Sequence, residues 1–559
     1  MRRTAVLFTA LLACACASTS SRIPSQTLAQ LADEQWQHAL ESNVTARAEL
    51  GLPIEHLPDP SYAQAQRDVA FARDMLARAQ RIDAKQLSDD EQITLAILID
   101  TQRDTIDALP HFWLRFPVTP YSSPIRVVNL ALSQMPMKND ADVARYVAVL
   151  NEYGTFVDRI ADIAREQQRR GILLPKPSIA IARTLFTSAP LAAKSNAPAV
   201  RDVIATKIDP AFARLAAVYD AAYEAKAPES VGLSQYPGGS DAYRYLVRKH
   251  TTLDLTPKEI HQLGLREVAR IEGEMAEVRK QLGFTGTQND FMQFLRTDPR
   301  FFAKTPEEIS ERLTKYMLMI QPHLDAYFAK KPRAEYGVRR LDPALEPSLT
   351  FGYYQAPTVA EPSGHYLYNG SKLNERNLLF AAALMAHELA PGHHFQIATQ
   401  IENENTPLFR RKMYQTAFVE GWGEYSASLA REMGLYGDPY DLYGRLMMDM
   451  MLSVRLVVDT GMNHLGWSRD RARAYMREHT LLSDTETATE TLRYAVDIPA
   501  QALAYKIGSL RIMELRRRTE QQLGAKFDVR AFHEWVIGGG SMPLRVLDEA
   551  VARRVQATR

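Results

Sequence analysis

The sequence predicts a mainly α-helical protein of two lobes, with a small β-sheet in the second lobe. Its 559 residues, 46% of them hydrophobic, are enough to bury more than one large core. Long stretches carry apolar residues at helical spacing, and only two short aromatic-rich stretches indicate strands. The Pro-, Gly- and Ser-rich segment 225–241 is the best candidate boundary between an N-terminal helical lobe, 22–230, and a second helical lobe, 241–559.

Residues 1–16 are organised like a secretory signal peptide. A basic start is followed by a short apolar core, Ala5 to Ala13, which falls well below the roughly 20 residues of a spanning helix. The following LLACACAS resembles a lipoprotein signal, with Cys14 as the predicted lipidated residue and Cys16 as the alternative. An ordinary cleaved signal is the other interpretation. We expect an exported protein of the bacterial cell envelope that faces the periplasm and touches the membrane only through this anchor.

Charge and cysteine content exclude several classes of function. The 67 Lys and Arg residues nearly balance 66 Asp and Glu residues, so nothing favours nucleic acid as a partner. Both cysteines lie in the signal region, so the mature chain has no disulfide, cysteine nucleophile or cysteine metal ligand. Any metal must therefore be bound by histidines and carboxylates. The oligomeric state is not defined by the sequence.

The N-terminal half shows successive amphipathic helical patterns, for example at 31–42, 62–82 and 140–171, without clustered catalytic residue types. We interpret it as scaffold and as one wall of a cleft. Beyond the boundary segment, Thr256-Pro257-Lys258-Glu259 is a capping box with proline at the first helical position. A helix should therefore begin there.

The strongest chemical signal is HELAPGHHFQ, His387 to Gln396, at the end of the apolar run 378–386. In many zinc peptidases a His-Glu pair opens the site: the imidazole binds the metal and the carboxylate acts on a metal-bound water. The usual second histidine follows four residues after the first, on the same helical face. Here that position is Pro391.

The spacing of the later histidines requires a break in the helix. On a continuous helix, His394 would lie roughly 10.5 Å from His387 along the axis, and His393 would point away. Proline cannot donate an interior amide, and glycine permits unusual backbone angles. We therefore expect the helix to break at Pro391-Gly392 and to bring His393 back, with His394 as an alternative ligand or a residue that supports one.

A second motif, FVEGWGEY, spans Phe418 to Tyr425 and has the apolar spacing of an amphipathic helix. Its two glycines each cost roughly 1 kcal/mol in a helix interior, which indicates a packing or site requirement. Glu420 could complete a site of two histidines and one glutamate with a position open for water. Glu424, on the same face, could orient a ligand histidine. Solvation of both carboxylates is the alternative, which the apolar neighbours disfavour for Glu420.

Together with ETLRYAVDIPAQALAYKIG, residues 490–508, these motifs resemble a bacterial family of lipoprotein-like sequences labelled as a domain of unknown function. The resemblance covers most of the mature chain. That family is grouped with gluzincin-type metallopeptidases such as thimet oligopeptidase, carboxypeptidase Taq and angiotensin-converting enzyme. The resemblance implies a largely helical fold and a zinc hydrolase without a settled substrate. It also implies His393 as the ligand, because members with one histidine after Pro-Gly have it at that position.

The third motif supplies candidates for stabilising the oxyanion that forms when water attacks a carbonyl. A tyrosine hydroxyl or an arginine can donate to that oxygen. Tyr505 is the first candidate and Arg493 the second. Arg493 could instead bind a substrate carboxylate, or form a buried salt bridge with Glu490.

Two aromatic-rich stretches before the metal helix, Thr350–Tyr354 and Tyr366–Asn369, predict strands. In gluzincin-type enzymes a strand edge beside the metal helix pairs with the substrate backbone, and the resemblance implies that role here. Ordinary aromatic packing is the alternative. The candidate substrate contacts are Tyr353, Tyr354, Tyr366 and Asn369.

The sequence thus predicts a zinc metallopeptidase that hydrolyses the amide bonds of oligopeptides. Zn²⁺ would be bound by His387, His393 and Glu420, and Glu388 would be the general base. Two alternatives remain open: a non-catalytic envelope lipoprotein that binds peptides or a partner, and a zinc hydrolase of non-peptide substrates.

Overall fold

The structure, a computed structural model, describes residues 10–343, 346, 351–358 and 361–559, with side chains from residue 24 onward. It is mainly helical with one small sheet, which confirms the predicted fold class. Residues 1–9 of the predicted signal peptide, and the side chains of Cys14 and Cys16, lie outside the described part. Among the described residues, no helix combines the length and apolar character needed to cross a bilayer.

The N-terminal half is a succession of helices, as its amphipathic patterns predict. They are α1 (Ala10–Ser42), α2 (Val44–Glu49), α3 (Tyr62–Ala79), α4 (Asp89–Ala108), α5 (Pro124–Ser133), α6 (Asp140–Arg169), α7 (Lys176–Arg183), α8 (Ala189–Ala192), α9 (Pro198–Val203), α10 (Asp209–Val218), α11 (Ala221–Lys226) and α12 (Gly239–Thr251). Helix α6 shows how local chemistry sets the bounds: the Asn139 side chain accepts a hydrogen bond from the Asp142 amide at 2.9 Å and caps its first turn.

The remaining helices surround the two main motifs. They are α13 (Pro257–Gln281), α14 (Gln288–Thr297), α15 (Pro306–Ile320), α16 (Leu324–Tyr327), α17 (Ala381–Glu388), α18 (His393–Glu402), α19 (Leu408–Arg411), α20 (Thr416–Glu432), α21 (Pro439–Asn463), α22 (Arg469–His479), α23 (Asp484–Leu492), α24 (Ala504–Leu523), α25 (Val529–Ile537) and α26 (Leu544–Thr558). The predicted capping box at Thr256 and Glu259 is present and opens α13.

The sheet has three strands in the order β1-β3-β2: β1 (Tyr336–Arg340), β2 (Gly352–Gln355) and β3 (Gly364–Tyr368). Strand β3 pairs in parallel with β1 and antiparallel with β2, which places Tyr354 opposite Tyr366. The two predicted strands are confirmed with shifted ends, and Thr350 lies outside the described residues. Strand β1 was not predicted. It is only five residues long and ends in two arginines, so its sequence lacks a clear strand pattern.

Hydrophobic packing runs across the predicted lobe boundary at 225–241. One large cluster joins buried residues of α5, α6 and α10 to residues of α21 such as Val454. Another joins α1 and α4 to α17, α20 and α24. Because both clusters contain residues from each side of that boundary, the lobe limits 22–230 and 241–559 stay a prediction from composition.

His533 of α25 is a buried imidazole that contacts α20. Its burial affects the stability of the protein in acid. Its Nδ1 lies 2.8 Å from the Tyr327 carbonyl, which can only accept, so Nε2 accepts from the Tyr425 hydroxyl at 2.7 Å. Burial lowers the pKa of His533 to about 4. The unfolded chain therefore takes up a proton near pH 6.5 that the folded chain resists, and stability falls as the pH drops from about 6.5 to 4.

We expect His533→Gln to remove this contribution, which amounts to about 1.4 kcal/mol per pH unit in that range. The melting temperature of the metal-free protein should therefore fall less between pH 7 and 5 in the variant than in the wild type. His323→Gln, at an exposed histidine, is the matched control and should leave the wild-type slope unchanged. Equal slopes for all three proteins would contradict the prediction.

Candidate metal centre

The predicted helix break at Pro391-Gly392 is confirmed: α17 ends at Glu388 and α18 begins at His393. Helix α20 holds this turn, because both Trp422 and Ser426 donate to the Pro391 carbonyl, at 2.9 and 3.2 Å.

The turn at Pro391-Gly392 leaves no room for a side chain at position 392. A Cβ at this position would lie 1.8 Å from the backbone oxygen of His387. No larger residue therefore fits without moving the first histidine.

The break brings His393 back towards His387, and both face Glu420 of α20. Their ligand atoms all lie within 4.8 Å of one another, and the three residues are buried. Glu420 Oε2 is 3.6 Å from His387 Nε2 and 3.4 Å from His393 Nε2. These distances are long for hydrogen bonds but close to the roughly 3.3–3.4 Å between tetrahedral ligands that lie 2.0–2.1 Å from a zinc ion. The three side chains could therefore hold a metal ion.

The two oxygens of Glu420 have different partners. The Tyr414 hydroxyl donates to Oε1 at 2.9 Å, which leaves Oε2 directed at the two histidines. Tyr414 was not predicted, because it lies in the connection before α20 and belongs to no recognisable motif. Its contact with Glu420 becomes apparent only in the folded structure.

Glu424 orients His387, the role that its position on the helix predicts. The His387 Nδ1–H donates to Glu424 Oε1 at 2.9 Å, and Arg445 Nη1 lies 3.2 Å from Glu424 Oε2. Burial raises the pKa of Glu424, but the charge of Arg445 and the bond from His387 hold that pKa below its ordinary value. The carboxylate is thus anionic and directs Nε2 of His387 toward Glu420. Arg445 was not predicted: it is one of two arginines of α21, and its partner Glu424 lies on another helix.

His394 points away from this cluster and joins α18 to the sheet. Its Nε2–H donates to the Ala334 carbonyl at 2.9 Å, and its Nδ1 lies 3.0 Å from the Tyr354 hydroxyl. Burial lowers the pKa of His394 to about 4, so the ring is neutral and Nδ1 accepts from Tyr354. With both nitrogens engaged, His394 lies outside the candidate cluster, and His393 is the histidine that faces Glu420.

Glu388 follows the first ligand and is half-buried at the end of α17. Burial raises the pKa of its carboxyl above the ordinary value, although His393, His387 and the backbone amide of Tyr354 act in the opposite direction. A carboxylate with a raised pKa is suited to accepting and returning protons near neutral pH. It also borders an apolar cavity.

The two glycines of FVEGWGEY lie where atoms of other elements come close to the backbone of α20. A Cβ on Gly421 would lie 2.6 Å from the Cα of Gly508, so α20 and α24 touch through their backbones there. A Cβ on Gly423 would lie 2.8 Å from Cε1 and 2.9 Å from Nε2 of His387. Gly423 therefore makes room for the imidazole in its ligand position.

We expect Gly423→Ala to lower zinc affinity by about 10- to 100-fold, the range typical when a residue that positions a ligand is changed. The added methyl group must displace the His387 ring. Gly273→Ala is the matched control, since Gly273 is also helical but has no atom near an added Cβ. Competition for zinc with a chelating dye measures both. Equal affinities in the two variants would show that His387 adapts without cost.

Arg493 is occupied by its neighbours. It donates twice to Glu490, at 3.0 and 2.9 Å, and once to Gln501 at 2.7 Å. This arrangement corresponds to the salt-bridge interpretation. Arg455 also donates to Glu490, at 3.2 Å, and was not predicted.

Tyr505 contacts Arg455 of this ion-pair network and interacts with the charge of Glu420. The Arg455 guanidinium lies 4.9 Å from the centre of its ring. Burial, and then the charge of Glu420, raise the pKa of Tyr505, so its hydroxyl stays protonated and able to donate. Tyr505 therefore stays a candidate for the oxyanion donor.

The other predicted substrate contacts differ in accessibility. Tyr353 is 43% exposed, whereas Tyr366 is fully buried and borders the cavity beside Glu388. Asn369 accepts from the Ser371 amide at 2.9 Å and donates to the Glu346 carbonyl at 2.7 Å. Its amide thus stabilises the loop after β3.

Fold and site together define a helical protein with a buried candidate centre of two histidines and one glutamate. The chain belongs to the family described as "Bacterial protein of unknown function (DUF885)", whose model matches residues 45–551.

Two solved structures share this fold. One, of a putative lipoprotein from Colwellia psychrerythraea, is 24% identical with a TM-score of 0.88, over 96% of this chain and 100% of that one. The other, of a putative lipoprotein of unknown function from Shewanella oneidensis, is 19% identical with a TM-score of 0.72, over 95% and 99% of the two chains. No protein with a curated description matches the chain.

Proposed function

We propose that the protein is a zinc-dependent metallopeptidase that hydrolyses amide bonds of oligopeptides. The observation that carries this proposal is the buried cluster of His387, His393 and Glu420, next to Glu388, whose side chain borders a cavity. When bound, zinc would polarise a carbonyl and lower the pKa of water.

The residues of the chain have distinct roles in this proposal. Glu388 takes a proton from the attacking water and returns it to the leaving amine. Tyr505 donates a hydrogen bond to the oxygen that becomes negative. Strand β2 is at the edge of the sheet and carries Tyr354 beside Glu388, so it can pair with the backbone of an extended peptide.

We also propose that the mature protein is anchored in the bacterial cell envelope by a lipid on Cys14 and faces the periplasm. The lipoprotein-like signal supports this placement, and both fold relatives are described as putative lipoproteins.

Zinc content and peptide cleavage of the purified mature protein test the function. We expect close to one zinc per chain, and cleavage of an oligopeptide mixture that stops on chelation and returns with zinc. A folded protein that binds no zinc after reloading would overturn the proposal. Bound zinc without cleavage would favour a peptide-binding lipoprotein, and turnover of esters alone would favour a non-peptide hydrolase.

A further inference from the structure

An apolar cavity of about 250 Å³ borders Glu388. Part of its wall is one face of α17, because Ala381, Leu384 and Glu388 are spaced three and four residues apart. Seven helical residues span about 10.5 Å. The cavity therefore extends along the helix from Glu388 far enough to take a whole bulky side chain.

Another part of the wall comes from α21 and the segment after α22. Three methionines of α21, Met447, Met448 and Met451, line it together with Leu481 and Leu482. Methionine side chains are flexible and polarisable, so such a wall adapts to apolar groups of different shape.

Charged residues border the cavity away from Glu388. Glu375 and Arg376 precede α17 and so lie toward its N-terminal end, and Glu486 belongs to α23. Arg376 donates to the Ser371 carbonyl at 3.2 Å, and its guanidinium lies 5.8 Å from the centre of the Phe351 ring. Between these groups and Glu388, the surface is mainly apolar.

We propose that this cavity receives a large apolar side chain, such as that of Leu, Met or Phe, from the substrate residue next to the scissile bond. The inference rests on the proposed peptidase function, because Glu388 is the group that places the scissile bond at the cavity mouth. Transfer of such a side chain out of water would favour binding by about 10- to 100-fold over glycine. A charged side chain would lose its hydration and find few partners along the methionine wall.

Cleavage of matched peptides tests the assignment with the zinc-loaded mature protein. The residue on each side of the cleaved bond is varied between Phe, Leu, Ala, Gly and Asp. We expect kcat/KM for Phe or Leu, on one side, to exceed that for Gly by about 10- to 100-fold. Met451→Trp fills the cavity and should reduce the Phe-to-Ala ratio by about tenfold or more. Met319→Trp, at a methionine of α15 that is 42% exposed, is the matched control and should keep the ratio.

A second measurement does not depend on turnover. The protein is labelled with ¹³C at the methionine methyl groups and titrated with N-acetyl-phenylalanine amide, and separately with N-acetyl-aspartate amide. The resonances of Met447, Met448 and Met451 should shift with the first compound alone, while that of Met319 stays in place.

The two measurements separate the two proposals. If no peptide is cleaved but these three resonances shift, the peptidase function fails and the cavity remains a site for apolar side chains. Cleavage without apolar preference on either side of the bond overturns the cavity assignment. Absence of both cleavage and shifts overturns it as well.

Discussion

His393→Gln should abolish stoichiometric zinc binding, whereas the same change at the adjacent His394 should leave zinc bound. The two imidazoles differ in what they face: His393 Nε2 is 3.4 Å from Glu420 Oε2, while both nitrogens of His394 are engaged by Ala334 and Tyr354. Glutamine at 394 can still donate to the Ala334 carbonyl. We expect the loss at His393 to exceed the roughly 10- to 100-fold that follows removal of a supporting partner.

Zinc per chain after dialysis, measured by elemental analysis, distinguishes the two variants. Circular dichroism and melting temperature establish that each is folded. His387→Gln and Glu420→Gln should behave like His393→Gln, because each removes a ligand of the same cluster. Zinc lost from His394→Gln and retained by His393→Gln would contradict the assignment and require the two histidines to exchange roles when metal binds.

Much of the fold follows from local signals in the sequence. Helix α13 begins at its capping box, and α17 ends before Pro391, because backbone chemistry acts within a few residues of these sites. The division into lobes at 225–241 stays a prediction from composition. Segment 225–241 is rich in turn-forming residues, yet the hydrophobic clusters join helices from both sides of it. Long-range packing of this kind has no short-range signal.

The candidate site shows the same contrast. The three residues of the candidate cluster could be named from spacing, since a helix break and a shared helical face are local properties. Tyr414, which orients Glu420, and Arg445, which holds Glu424, could not be named in this way. Both act across elements that meet only in the folded chain. The methionine wall was also missed, because an apolar stripe on α21 indicates burial without indicating what it borders.

Glu388→Gln should lower kcat for peptide cleavage by about 10²- to 10⁴-fold while zinc remains bound. Glutamine has nearly the shape of glutamate but cannot accept a proton at neutral pH, so the variant removes the base and keeps the volume. Zinc should stay because Glu388 is absent from the cluster of ligand atoms formed by His387, His393 and Glu420. Stability should not fall, since burial already disfavours the charged form of this carboxyl, as its raised pKa indicates.

Steady-state kinetics of one cleaved peptide, with zinc content and melting temperature measured in parallel, test this expectation. Glu404→Gln makes the same change at an exposed glutamate and should retain wild-type kcat. A Glu388→Gln protein that holds zinc and cleaves at the wild-type rate would show that another group moves the proton. Loss of zinc together with activity would instead place Glu388 among the ligands. Retained zinc with activity reduced in kcat rather than KM is the result that assigns Glu388 to the chemical step, because such a change removes an interaction that matters in the transition state.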